Sequence, residues 1–153
     1  MSYNSAVSTY KETKIKTAGQ GQLIIMLYEE AIKQLNRAIE LIELNSNGKK
    51  DPSRIEIIGK AVMKTEEIIT ELMASLDFEQ GGDIAKNLFS LYGWFNKELL
   101  EASISNDKDR MINVKNMISD LKNVWNEVVS KNMAEAENHE IQNREILGIN
   151  IAG

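Results

Sequence analysis

The chain has 153 residues, of which 42% are hydrophobic and 27% are charged, and these proportions are typical of one globular domain with a sizeable core. Cysteine is absent from the sequence, which excludes disulfides, thiolate metal sites and a cysteine nucleophile. The formal net charge of -5 argues against nucleic acid as a partner, because binding to phosphates requires a positive surface.

The apolar runs of the sequence are short. The longest extends from Leu23 to Tyr28, whereas a membrane-spanning helix needs roughly 20 apolar residues. The residues before Leu23 are mostly polar and include several lysines, which is unlike a cleavable export signal. The sequence therefore predicts a protein of the cytosol with no stable membrane insertion.

The first predicted helix follows a polar N-terminal stretch. Residues 1–16 are expected to form a loose arm, because their apolar residues are irregularly spaced. Thr17-Ala18-Gly19-Gln20 has the form of a capping box, in which the threonine and glutamine side chains satisfy free backbone N–H groups. Helix 1 is therefore expected to begin at Thr17.

The later helices are bounded by turn and capping residues. Asp51 followed by Pro52 is typical of a helix start, so helix 2 is expected to begin near Pro52. The turn from Asp77 to Gly82 ends in a glycine pair, and Asp83 is expected to cap helix 3. Asn106-Asp107 supplies the last turn and the cap of helix 4.

Apolar residues recur at helical spacing in all four segments, and no segment resembles a strand. Because short connections force neighbouring helices to run in opposite directions, the expected fold is an all-α, antiparallel up-down four-helix bundle. The bundle is expected to span residues 17–133, with a C-terminal tail at 134–153 that is partly helical or disordered. The residues predicted to face the core are Ile24, Leu27, Ala31, Leu35, Ala38 and Ile42; Ile55, Ile58, Val62, Ile69, Leu72 and Leu76; Ile84, Leu88, Leu91, Tyr92, Phe95, Leu99 and Ala102; and Met111, Val114, Ile118, Leu121, Trp125 and Val128.

The sequence offers little that could support catalysis. A di-metal site in such a bundle needs two Glu-x-x-His pairs, but His139 is the only histidine and lies in the predicted tail. The acidic pairs Glu29-Glu30 and Glu66-Glu67 are interpreted as solvated helix faces. We therefore expect no enzyme activity, no catalytic residues, no metal and no cofactor.

Three ordered blocks of the sequence combine apolar residues at helical spacing with fixed turn residues. The blocks are Tyr10, Ile15 and Thr17-Ala18 with Leu23-Ile24-x-Met26-Leu27-Tyr28-Glu29-x-Ala31; Ser75-Leu76-Asp77-Phe78-Glu79-x-Gly81-Gly82-x-Ile84-Ala85-x-Asn87-Leu88-x-x-Leu91-Tyr92; and Ala102-x-x-x-Asn106-Asp107 with Leu121 and Trp125. Together they resemble the FliS family of flagellar secretion chaperones, and the resemblance covers about residues 6–130. Two departures from the family pattern are Gly19-Gln20, where Ser-Pro is common, and Glu30, where glycine is usual.

The resemblance implies a cytosolic chaperone that binds the C-terminal segment of flagellin and prevents premature polymerisation. It further implies delivery of flagellin to a component of the flagellar type III export gate. The free protein is expected to be a monomer or a weak dimer. The alternative interpretation is a self-associating structural bundle, or an adaptor with no flagellin client.

The excess of apolar residues over one core-facing stripe predicts a partner-binding groove. We expect the second face of helix 1 and the off-stripe residues of the later helices to form it. In helix 3, Phe89, Trp94 and Leu100 lie off the main stripe. Tyr10 and Ile15 of the arm are expected to cover the groove when no partner is bound. The residues predicted to bind the partner are Tyr10, Ile15, Leu23, Ile25, Met26, Tyr28 and Ile32.

Overall fold

The computed structural model describes residues 19–48 and 50–146, which form four helices: α1 (Gly19–Asn47), α2 (Pro52–Ala74), α3 (Phe78–Ser105) and α4 (Lys108–Ile146). Helix α1 packs against α2 and α4, and α3 packs against the same two helices. Each helix therefore lies at one corner of a square, next to its neighbours in the sequence. The predicted all-α, up-down four-helix bundle is confirmed. Among the described residues, no helix combines the length and apolarity needed to cross a membrane.

Two of the predicted helix starts are confirmed by their capping bonds. The Asp51 carboxylate accepts the backbone N–H of Ser53 at 3.0 Å, and Pro52 occupies the first turn of α2. The Asp107 carboxylate accepts the backbone N–H of Arg110 at 3.2 Å at the start of α4. Both caps satisfy N–H groups that have no partner within the helix. The capping residue predicted for helix 1, Thr17, lies outside the described residues.

The start of α3 differs from the prediction. Asp77, rather than Asp83, is the N-cap, and its carboxylate accepts two backbone N–H groups of the first turn at 3.0 and 3.1 Å. The stretch predicted as a turn is therefore helical from Phe78. The glycine pair instead marks a kink, where Gly82 has φ 51° and ψ −126°. This conformation is accessible to glycine but strained for other residues, so the helix bends where a turn was expected.

The core is apolar and holds one polar pair at its centre. The hydroxyls of Tyr28 on α1 and Tyr92 on α3 are hydrogen bonded to each other, which joins helices at opposite corners of the square. Burial raises the pKa of both phenols above the ordinary value, so both remain protonated. Thr65 is also fully buried, and its hydroxyl donates to the Ala61 carbonyl at 2.9 Å.

Three residues predicted to face the core are exposed instead. Ile55 lies in the first turn of α2, near the end of the bundle. Ile84 follows the kink at Gly82, which shifts the phase of the helix, and it is 71% exposed. Val128 lies near the level of the kinked first turn of α3, given the antiparallel register of α3 and α4. Simple helical periodicity fails at these places because the neighbouring helix ends or bends.

Helix α4 continues beyond the rest of the bundle. It runs without a break through residue 133, where the predicted bundle ends, as far as Ile146. Every described side chain from Ser130 to Arg144 is exposed. At a rise of about 1.5 Å per residue, the helix after Ser130 is about 24 Å long. We call residues 131–146 the α4 extension.

Candidate partner-binding surface

Helix α3 exposes more large apolar side chains than any other described helix. Its core-facing stripe is narrow and consists of Ala85, Tyr92, Phe95, Leu99 and Ala102. Leu88 and Leu91 pack half-buried beside this stripe, whereas six other large apolar side chains of the helix are exposed. So many exposed apolar side chains on one helix indicate an interaction site. We call them the α3 ridge: Phe78, Ile84, Phe89, Trp94, Leu100 and Ile104, of which Ile104 is 77% exposed.

The ridge has one flank toward α2. Asn96 of α3 donates from Nδ2 to the hydroxyl of Thr70 on α2 at 3.3 Å, which identifies this side of the helix. Phe89 and Leu100 lie seven and four residues from Asn96, so they share its side at helical spacing. Phe89 also packs edge-on against Phe78, with ring centroids 5.8 Å apart. This flank is therefore an apolar shelf beside α2.

The other flank faces α4. Arg110 of α4 binds the Glu98 carboxylate in a bidentate manner, at 2.9 Å from Nε and 2.8 Å from Nη2, and it also contacts Glu101. This bond holds the pKa of Glu98 below its ordinary value. Trp94 lies four residues before Glu98 and seven before Glu101, and therefore on the α4 side of the ridge.

Helix α4 presents a matching apolar stripe to that flank. Met117, Leu121 and Val124 follow Arg110 at spacings of seven, eleven and fourteen residues, so they continue the side of α4 that Arg110 directs toward α3. Met117 and Leu121 are half-buried, whereas Val124 is exposed. By helical spacing, these three residues and Trp94 lie on the facing sides of α4 and α3, and we call this set of four residues the α3–α4 groove.

An apolar cavity of about 200 Å³ lies at the end of the bundle where α1 and α3 begin. A cavity of about 150 Å³ is enough to hold benzene, so this one can receive a large apolar side chain. Gln20 and Asp77 are among its few polar lining residues. The cavity therefore lies close to the first described residues of α1. Its apolar lining comes from all four helices: Ile24, Leu72, Leu76, Ile84, Ala85, Leu88, Tyr92 and Trp125.

The structure places the predicted partner-binding residues in three settings. Leu23 and Tyr28 belong to the main core, and Ile25 is also buried. Met26 and Ile32 are half-buried. Tyr10 and Ile15 lie outside the described residues. The role of all seven residues in partner binding stays a prediction, and the largest exposed apolar surface lies on α3 instead of α1.

The sequence contained part of the signal for this surface. Phe89, Trp94 and Leu100 stand off the core-facing stripe of helix 3, and all three are exposed. Ile104 and the α4 residue Val124 were missed, because single apolar residues near a helix end or beside a stripe look ordinary in sequence. Of the acidic residues predicted to lie on solvated helix faces, Glu66 is half-buried, and burial raises its pKa. Within the described part of the chain, no group of three potential metal ligands lies together.

Comparison with known proteins identifies the family. The chain matches the family described as flagellar protein FliS over residues 3–132. It is 33% identical over 121 residues to the flagellar secretion chaperone FliS of Salmonella typhimurium, covering 78% of this chain and 84% of that protein. It is 31% identical over 128 residues to the same chaperone of Campylobacter jejuni, covering 84% and 94%, and 23% identical over 129 residues to that of Bacillus subtilis, covering 84% and 90%. The chain therefore belongs to the flagellar protein FliS family.

Proposed function

We propose that this protein is a cytosolic export chaperone that binds the C-terminal segment of flagellin and prevents its premature polymerisation. It then delivers flagellin to a component of the flagellar type III export gate. Family membership supports the export role, because the similar proteins are named flagellar secretion chaperones. The bundle binds its client without a cofactor, since the burial of apolar surface supplies the free energy.

The observation that carries this proposal is the α3 ridge. A protein that bound no partner would gain solubility from polar residues at these positions, whereas Phe89, Trp94 and Leu100 leave apolar surface in water. The α3 ridge has apolar side chains on both its α2 side and its α4 side, and an extended client chain that crosses α3 can contact both sides. A globular partner with a flat surface would contact only one of them.

The α3–α4 groove fits an amphipathic helix of the client. A helix that lies in a groove presents apolar anchors at spacings of three, four and seven residues. Trp94 provides a rigid aromatic contact, and the thioether of Met117 adapts to different apolar neighbours. A flagellin segment that folds onto this surface would bury about 1,000 to 3,000 Å² and lose about 2 to 5 kcal/mol in ordering.

The N-terminal arm regulates access in this proposal. Residues Tyr10 and Ile15 cover apolar surface in the free protein, and the client displaces them. The apolar cavity lined by Gln20 is a candidate site for these residues, since Gln20 comes four residues after the end of the arm in sequence. Such competition lowers the apparent affinity for flagellin by the fraction of molecules in the open state.

Calorimetric titration with flagellin tests the proposal. Full-length flagellin is expected to bind as a defined complex, and flagellin that lacks its C-terminal segment is expected not to bind. Flagellin that lacks its N-terminal segment is the matched control and should bind like the full-length protein. Equal binding of the two truncated flagellins would contradict the proposed client segment.

A further inference from the structure

The C-terminal end of α1 carries an asparagine followed by a glycine. Asn47 is the last residue of α1 and Gly48 is the next residue, and both are exposed. Asparagine is thermolabile in proteins, because the backbone nitrogen of the following residue can attack the carbon of its side-chain amide. A following glycine favours this attack, since it places no side chain beside the attacking nitrogen. The end of α1 thus has the two groups that the reaction needs.

The described surroundings of Gly48 leave room for the attack. Apart from its neighbours in the chain, a Cβ built at Gly48 would have only the Leu44 carbonyl oxygen within 4 Å among the described residues, at a distance of 3.8 Å. Because glycine has no Cβ, its backbone also rotates more freely than that of other residues. No described side chain therefore shields the backbone nitrogen of Gly48.

The position of Asn47 at the helix end weakens the restraint of helical geometry. Inside a helix, the backbone holds the side-chain amide carbon away from the next backbone nitrogen. The last turn of a helix frays, because its carbonyl groups have no partner further along the helix. Asn47 is exposed, and among the described residues its side chain has no hydrogen-bond partner. Fraying of this turn therefore brings the two reacting atoms together without disturbing the core.

Asn45 is a protected asparagine in the same turn. Its side chain is half-buried, and its Oδ1 accepts the backbone N–H of Asp51 at 3.3 Å and Nη1 of Arg54 at 3.2 Å. Ser46 follows it within α1, so the next backbone nitrogen is also held in helical geometry. Asn45 and Asn47 thus form a natural pair that differs in exposure, hydrogen bonding and the following residue.

We propose that Asn47 is a site of spontaneous deamidation. The backbone nitrogen of Gly48 attacks Cγ of Asn47 and forms a new C–N bond. The side-chain nitrogen leaves as ammonia and takes up the proton that the backbone nitrogen loses. Water then opens the resulting cyclic imide at either of its carbonyl carbons, which leaves aspartate or isoaspartate at position 47. Water is the only other reactant, and base accelerates the reaction by removing the backbone proton.

Deamidation adds a negative charge at an unfavourable place. The C-terminal end of a helix already carries a partial negative charge from its free carbonyl groups. Glu43, one turn before Asn47, adds a carboxylate, which Lys108 pairs with at 3.8 Å. The new carboxylate makes the formal net charge of the chain one unit more negative than -5. Isoaspartate also inserts a methylene carbon into the backbone. Both products therefore loosen the last turn of α1.

Peptide mass spectrometry of the incubated full-length chain tests the proposal. The purified protein is held at neutral and at mildly alkaline pH, and samples are digested at intervals. The peptide that contains Asn47 should gain the mass that accompanies replacement of an amide by a carboxyl group, in a fraction that grows with time and with pH. Fragmentation of this peptide should place the change at Asn47 and leave Asn45 intact. An isoaspartyl methyltransferase should label the isoaspartate product.

Two variants serve as controls. Gly48→Ala should slow the reaction several-fold, because a side chain then stands beside the attacking nitrogen, and Asn47→Gln should remove it from this position. Circular dichroism checks that both variants remain helical. Deamidation of Asn45 before Asn47, or an unchanged rate in the Gly48 variant, would overturn the proposal. So would a reaction at Asn47 that occurs only when the chain is unfolded in urea. None of these measurements uses flagellin, so they do not depend on the proposed chaperone function.

Discussion

Replacing Trp94 by alanine should weaken flagellin binding without unfolding the protein. Trp94 lies on the α4 side of the α3 ridge and is 39% exposed. The whole side chain has about 250 Å² of surface, so about 100 Å² is open to a client. At about 25 cal/mol per Å², covering this area contributes about 2.5 kcal/mol, an upper limit that corresponds to about a 60-fold change in affinity.

The assay is calorimetric titration of the wild-type and variant chains with flagellin. Because a client helix covers only part of an exposed side chain, we expect a loss of about tenfold or more in affinity. The loss in folding stability should be smaller than for a fully buried aromatic residue. Leu44→Ala is the matched control, since Leu44 is also exposed and apolar but lies near the end of α1. Wild-type affinity in the Trp94 variant, with weaker binding in the Leu44 variant, would refute the assignment of the α3–α4 groove.

Further predictions concern the core, the arm and the response to pH. Phe95→Ala should reduce the free energy of unfolding in urea by about 3 to 5 kcal/mol, because Phe95 is fully buried. The small change in this free energy that is typical of a surface substitution would contradict the position of Phe95 in the core. Tyr10→Ala should change flagellin affinity in a folded protein, and unchanged affinity by calorimetry would reject a role of the arm. The hydrogen bond from Arg110 lowers the pKa of Glu98 in the folded state. Glu98 therefore stabilises the fold above its unfolded-state pKa, and this stabilisation is lost as the pH falls through the folded-state pKa. In urea titrations at several pH values, the Glu98→Gln variant should lose less stability on acidification than the wild-type chain. Burial raises the pKa of Glu66, so its ionised carboxylate destabilises the folded state at neutral pH. Glu66→Gln should therefore raise the free energy of unfolding at neutral pH, and a lower free energy of unfolding in this variant would contradict the prediction.

The fold could be predicted because its determinants are local. Apolar residues at helical spacing define the four helices, and capping at Asp51 and Asp107 depends on side chains next to the helix starts. The start of α3 was missed for a related reason. A glycine pair permits either a turn or a kink, and only the packing of the whole bundle selects the kink at Gly82.

The location of the exposed apolar surface was harder to predict, because it depends on which helices become neighbours. Leu23 and Tyr28 belong to an apolar run that looks excessive for one face, yet α1 lies against both α2 and α4 and buries them. The hydroxyl of Tyr28 also meets that of Tyr92, which is 64 residues away. No local pattern reports this pairing. The α3 ridge results from the same arrangement, since the core takes only one narrow stripe of that helix.

The most direct test of the central claim is to map the client on the labelled protein. Backbone amide shifts of the ¹⁵N-labelled chain are recorded while a peptide with the C-terminal sequence of flagellin is added. We expect the largest changes on α3 between Ile84 and Ile104 and on the facing side of α4 around Val124. Changes confined to the outer face of α1, with α3 unaffected, would contradict it.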